Sequence, residues 1–144
     1  MKRWMALAVA LSTLALAACG SASPNATAGR ATKMTPVSQL PASAQKAPTR
    51  VREAYQFAVA NPDLMKQIPC YCGCGAMGHT SNYACYVQGA KPDGSVIFDD
   101  HALGCSLCVD ITQDAWSMSD EGKSAQDIRA TIVENYSKFG PPNQ

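Results

Sequence analysis

A small, mainly α domain with a Cys/Gly-rich ligand loop and a C-terminal antiparallel helical hairpin is the fold class this sequence predicts. Three observations carry that expectation. Apolar residues recur at helical spacing in several segments, most clearly Leu107, Cys108, Ile111, Ala115 and Met118. Pro, Gly, Ser and Asn stand where such segments would start and stop. Strand-like sequence is confined to one pair of short runs.

The elements follow in chain order. Lys2 and Arg3 precede an apolar run from Trp4 to Leu16, which reads as a signal h-region too short to span a bilayer. Leu16-Ala17-Ala18-Cys19 reads as a lipobox. Residues 1–18 are therefore expected to be a lipoprotein signal peptide. Cys19 is expected to become the lipidated first residue of the mature chain, with acyl chains of the palmitate type holding it to a membrane. The expected location is the extracytoplasmic face of a bacterial cell membrane.

Residues 19–48 are rich in Ala, Ser, Thr, Pro and Asn and poor in large apolar residues. That composition predicts a flexible tether. The folded domain is expected over residues 49–144. It is small enough that staples or metals often supplement a thin core.

Val51, Ala54, Tyr55, Ala58 and Val59 predict a helix, with Thr49 as candidate N-cap. Asn61-Pro62 ends it and starts a short second helix, with Asn61 as cap and Leu64, Met65 and Ile68 facing the core. Pro69 stops that helix. Cys70 to Gly78 holds three glycines and predicts a loop wrapped around something. Cys85-Tyr86-Val87 and Val96-Ile97-Phe98 flank Pro92-Asp93-Gly94-Ser95, which predicts one short β-hairpin. The helix through Met118 closes at Gly122. Ser124 and Asp127 form an acidic capping box for a last helix lined by Ile128, Ile132 and Tyr136 and ended by Gly140-Pro141-Pro142. The short connection makes these two helices a hairpin. Trp116 and Tyr136 read as packing residues.

The chemistry is concentrated in thiols. Seven cysteines include Cys19, and the other six fall with both histidines of the chain between positions 70 and 108. Cys70, Cys72 and Cys74 alternate, so in an extended chain their sulfurs share a side. A bridge between cysteines one residue apart is strained. His79 and Cys85 follow. His101, Cys105 and Cys108 stand at i, i+4 and i+7, on one face if the helix reaches back to His101. Without that reach, Cys105 and Cys108 still occupy a first helical turn, where free N–H groups favour thiolate. Asp99 or Asp100 offers a cap or an orienting partner for an imidazole. Met77 reads as a gap-filling or exposed residue.

Three readings of the thiols stay open: a metal site, a framework of three disulfides, or thiol–disulfide exchange. The density of the triplet and the two nearby histidines favour metal. Thiolate with imidazole suits Cu(I) first and Zn(II) second, with iron–sulfur chemistry also open. Val109 follows Cys108, so no haem-attachment motif is present. The chain has twelve Lys and Arg against eleven Asp and Glu, and loss of Lys2 and Arg3 leaves it near neutral. That balance gives no sign of a nucleic acid or an anionic surface as partner, and none is expected. No hydrolase triad, phosphate loop or carboxylate pair is visible; Asp99 and Asp100 are adjacent and point to different sides of a regular element.

The run Ile68-Pro69-Cys70-Tyr71-Cys72-Gly73-Cys74-Gly75, with Gly78-His79, Cys85, Asp100-His101-Ala102 and Cys105-Ser106-Leu107-Cys108, resembles the PCYCGC-motif lipoprotein family over about residues 54–142. The resemblance implies an exported lipoprotein and supports the domain boundaries, and it implies no particular activity. Cys105-Ser106-Leu107-Cys108, Gly122-Lys123-Ser124, Asp127-Ile128-Arg129 and Tyr136 to Pro142 also look like the thiol-reductase domain of the cytochrome c maturation apparatus. That family reduces haem-attachment cysteines of apocytochromes. The second resemblance implies an all-helical hairpin over residues 105–140 and an exchange role for Cys105 and Cys108. This chain adds Cys70, Cys72, Cys74 and Cys85 to that pattern.

The expectation is therefore a lipid-anchored domain binding a soft metal ion through Cys70, Cys72, Cys74, His79, Cys85, His101, Cys105 and Cys108. Its role would be sequestration, delivery or sensing, with a metal transporter or an exported metalloprotein as partner. The alternatives are an oxidoreductase acting through Cys105 and Cys108, and a disulfide-stapled interaction module.

Overall fold

The computed structural model describes residues 32–143. The signal segment 1–18, the lipidation position Cys19 and the tether as far as residue 31 lie outside the described residues. The described chain is mainly α, with a single antiparallel hairpin. Its elements are α1 (Ala42–Lys46), α2 (Thr49–Ala60), α3 (Pro62–Met65), β1 (Val87–Ala90), β2 (Val96–Phe98), α4 (His101–Gly104), α5 (Ser106–Asp120) and α6 (Ala125–Tyr136). Among the described residues no helix is long and apolar enough to cross a membrane.

The tether reading is corrected over its last part. Residues 32–48 form an arm laid along α2, with a 3₁₀ turn at Val37–Gln39 followed by α1. Leu40 and Ala44 are buried in the core, and Met34 packs against it. Thr35 N–H donates to Gln56 O at 3.0 Å, and the Gln56 amide returns a bond to Thr35 O at 2.8 Å. Few apolar residues suffice because the arm covers a face that α2 already offers. Pro36, Pro41 and Pro48 fix φ in the unfolded chain too, which lowers the entropy lost on docking.

α2 buries Ala54, Tyr55, Phe57 and Ala58 against α5. Its N-cap is Pro48 rather than Thr49, which is already helical. Asn61 caps α3 by backbone position only. Its side-chain amide turns back to Phe57 O at 2.8 Å and Lys33 O at 2.9 Å, so it closes α2 and ties down the arm. Met65 and Ile68 reach the core, and Leu64 packs at its edge.

The hairpin pairs Val87 with Phe98, Gly89 with Ile97 and Ala90 with Val96, with a bulge between Val87 and Gly89. Strand β1 starts later than expected, because Cys85 ends a 3₁₀ turn over Asn82–Cys85. At the tip, Gly94 takes φ +82° and Asp93 accepts bonds from the Ser95 N–H and hydroxyl.

α5 and α6 form the expected antiparallel hairpin. Gly122, at φ +77°, reverses the chain, and Ser124 Oγ accepts the Asp127 N–H at 3.1 Å as N-cap of α6. Ile128, Ile132 and Tyr136 are buried. Tyr136 donates its hydroxyl to Asp114 at 2.8 Å across the pair. Trp116 stacks on Phe57 with ring centres 5.9 Å apart. The core formed by α2, α5 and α6 is the platform on which the thiol-bearing loop rests.

Candidate metal centre

Three elements bring cysteine sulfurs to one point. Cys70 directly follows Pro69 and is held by its backbone, where Asn143 N–H donates to Cys70 O at 2.7 Å. Cys85 ends the 3₁₀ turn, and Cys108 lies in the first turn of α5. All three side chains are fully buried. Their sulfurs form a triangle with sides of 3.3 Å (Cys85 to Cys108), 3.5 Å (Cys70 to Cys108) and 3.6 Å (Cys70 to Cys85). A disulfide bond is about 2.05 Å long, and all six cysteines of the described residues are free. The expected alternative of three disulfides is therefore not what the fold forms.

The triangle has the dimensions of a ligand set. The in-plane point equidistant from the three sulfurs is about 2.0 Å from each. Cys70, Cys85 and Cys108 would hold a soft ion through their sulfurs, for which the usual metal–thiolate distance is about 2.3 Å. Cys72 supplies a fourth sulfur; the four ligand atoms all lie within 4.8 Å of one another.

Protons are shared unevenly in the triangle. Hydrogen bonds from Cys108 and then Cys85 hold the Cys70 thiol far below its ordinary value. Cys108 is pushed up, because it donates to Cys70 and to Cys85 and is buried. For Cys85 the contact with Cys108 pulls down, but donation to Cys70, burial and the neighbouring thiolates outweigh it and the net direction is up. Burial is the chief reason that Cys72 is pushed up to about 11. The three buried thiols thus share their protons as one coupled set, with Cys70 favoured as the acceptor. At Cys108 the direction is opposite to that expected of a first helical turn, since donation to two sulfurs and burial outweigh the first-turn N–H groups.

A second group adjoins the first. Cys72, Cys74, His79 and His101 also offer ligand atoms within 4.8 Å of one another. Cys74 Sγ lies 3.3 Å from His101 Nε2, and the two imidazole rings are 4.9 Å apart, edge to face. His79 is only 4% exposed. Its Nε2 lies 3.4 Å from the Asp99 carboxylate, and its Nδ1 is buried with no partner. A carboxylate on one ring nitrogen and a vacant other nitrogen is the arrangement that presents imidazole to a metal. Otherwise an orphaned buried nitrogen is a cost. The third group joins His101, Cys105 and Cys108.

The supports are polar, and most are buried. Asp99 Oδ1 accepts the His101 N–H at 2.7 Å while its Oδ2 faces His79 and accepts from the Gln88 amide at 3.2 Å, so one carboxylate orders both histidines. Tyr55 donates to Asp99 O at 2.7 Å. Around Cys108 a chain runs from Tyr86 Oη to Thr112 Oγ1 (2.7 Å), to Asn82 Oδ1 (2.6 Å), and from Asn82 Nδ2 to Cys108 O (3.2 Å). Asn82 N–H also donates to Ile68 O at 2.8 Å and closes the base of the loop. Gly73 (φ +76°) and Gly78 (φ +87°) take the left-handed conformation that lets the loop turn on itself. The Asn143 amide donates to Cys72 Sγ at 3.2 Å.

The eight expected ligands thus fall into three overlapping groups. The helical face expected from His101 to Cys108 is interrupted: α4 ends at Gly104, and Cys105 is extended (φ −114°, ψ 98°) as the N-cap of α5. Gly104 before Cys105 was the signal for that break. Met77 is 69% exposed, and so is an exposed rather than a gap-filling residue. Asn143 and the Asn82–Tyr86–Thr112 chain were not foreseen. Nothing local marks Asn143 or Asn82, and the only hint for Thr112 is a polar residue on the helical face of Cys108, Val109 and Ala115.

The chain belongs to a family described as protein of unknown function with PCYCGC motif, which matches residues 8–144. No curated protein and no solved structure shows a significant match to the chain.

Proposed function

We propose that this member of the PCYCGC family is a lipid-anchored extracytoplasmic protein that binds a thiophilic metal ion, Cu(I) in preference to Zn(II), for sequestration or delivery. The observation that carries the reading is the buried triangle of three free sulfurs from three separate elements. A cysteine alone can fill a core as a small apolar side chain, but three from separate elements with their sulfurs in mutual contact form a ligand set. Deprotonated and bridged by a soft ion they become a stable centre. Three sulfurs at nearly equal spacing suit the low coordination numbers of Cu(I), and Cys72 as fourth sulfur would admit tetrahedral Zn(II). The anchor rests on the lipobox at Leu16 to Cys19. The partner would be a metal transporter or an exported metalloprotein. Exchange of disulfides through Cys105 and Cys108 is the weaker reading, because Cys108 is fully buried and pushed toward its protonated form.

The test is metal per chain by elemental analysis of the full-length protein purified anaerobically, with thiol titration before and after chelation. Bound copper or zinc, with thiols released by chelation, is expected. A metal-free protein without titratable thiols means disulfides and refutes the reading. Incorporation of labelled fatty acid should disappear in Cys19→Ala; unchanged labelling refutes the anchor.

A further inference from the structure

We infer that the centre holds two ions bridged by the sulfur of Cys72: an inner ion on Cys70, Cys85 and Cys108, and an outer, exchangeable ion on Cys74, His79 and His101. The inference rests on the metal-binding reading above and adds stoichiometry and an order of exchange to it.

The argument starts from which ligands each group owns. Cys72 and Cys108 are shared, but Cys70 and Cys85 belong to the all-sulfur group alone. Cys74 and His79 belong to the mixed group alone. Each of these groups therefore keeps at least two ligands of its own when the other is filled. The group of His101, Cys105 and Cys108 owns only Cys105, so it holds no third ion once the others are occupied. One ion cannot use the whole set, since four ligands fill its coordination sphere and leave Cys74 and His79 unused. His79 adds independent weight. It is nine-tenths buried, its Nε2 is engaged by Asp99, and its Nδ1 lacks any partner. A thiolate keeps lone pairs after binding one ion, so Cys72 can serve both. The Asn143 amide on that sulfur disperses part of its charge.

Exposure sets the order of exchange. Cys70, Cys85 and Cys108 are fully buried, whereas Cys74 and His101 are partly open to solvent. An incoming donor thiolate meets Cys74 and His101 first. Ligand exchange there proceeds without opening the core, so the outer ion is the faster to exchange.

The experiment is anaerobic titration of the full-length, detergent-solubilised chain with Cu(I) against a competing chelator. Stoichiometry is read by elemental analysis and metal–metal scattering by X-ray absorption. Two ions per chain with a metal–metal vector are expected. Cys74→Ser combined with His101→Ala should retain one ion and lose the vector. In the wild type, one of the two ions should leave to excess chelator at least about tenfold faster than the other. One ion per wild-type chain, or two ions retained by the double variant, overturns the inference while leaving the metal-binding reading intact. No ion in any form overturns that reading itself.

Discussion

Cys85 and Cys108 form one wall of the sulfur pocket and Cys70, Cys72 and Cys74 the other, and the two walls hold their ligands by different means. The first wall belongs to the core. Cys108 stands on α5, its carbonyl takes the Asn82 amide, and the Tyr86–Thr112–Asn82 chain behind it is buried throughout. The second wall is loop. It is held at its base by Asn82 to Ile68, at its flank by Asn143, and otherwise by glycine turns. The contrast teaches that core packing and a side-chain network fix Cys85 and Cys108, whereas the loop cysteines rest on bonds at the loop's ends and on glycine turns.

The largest effect that would break this comparison is loss of a ligand from the preformed wall. Cys108→Ser should abolish binding at the all-sulfur position, measured as metal per chain, because no other element can replace a buried sulfur there. Retention of that ion would show that the loop alone suffices.

Acid should act nearly as strongly. Cys72, Cys85 and Cys108 are raised in the metal-free protein, and Cys70 is already lowered. Binding at the all-sulfur position therefore releases protons from three groups and none from Cys70. Affinity should fall by about three powers of ten for each unit that pH drops through the neutral range, and rise correspondingly toward the value of about 11 at Cys72. Competition titrations at pH 6, 7 and 8 would measure the slope. A slope near one would mean that the walls share their protons differently.

Removing a support should cost less than removing a ligand. Asp99→Ala should weaken binding at the mixed position by about ten- to a hundredfold, the usual range for a residue that orients a metal-bound imidazole. Asn143→Ala should loosen the loop wall, seen as faster amide exchange over residues 70–79 with α5 and α6 unchanged. The converse test is Thr112→Val, which leaves Asn82 Oδ1 without its donor and should destabilise even the metal-free fold by about 1–3 kcal/mol in denaturant unfolding. The smallest effect belongs to Ser124→Ala, far from both walls. It should cost about 1 kcal/mol through its lost cap and leave metal content untouched.

The same division explains what was legible in the sequence. α5 and α6 announced themselves because burial at Ile111, Ala115, Ile128 and Ile132 repeats with the helical period, and because Ser124 caps through a side chain three residues away. The candidate residues were conspicuous because soft side chains are rare enough to stand out when crowded, and the fold brings them close together. How they group was not. Cys85 meets Cys70 and Cys108 through tertiary packing, and Asn143 reaches Cys72 from 71 positions away. The arm at residues 32–48 was misread because composition reports what a segment can bury alone, whereas Leu40 and Ala44 are buried by docking on α2. Asn61 was placed correctly as a boundary but faces the helix before it.

The sulfur triangle has an odd number of members, and that parity matters to how the protein comes into being. In an oxidising compartment an oxidant that takes two electrons and two protons from Cys85 and Cys108 joins them in a disulfide and strands Cys70 as a lone buried thiolate. No pairing within the triangle leaves all three satisfied. On the proposed reading of an exported, metal-binding chain, oxidation within the triangle competes with loading, because each disulfide removes two of its three sulfurs.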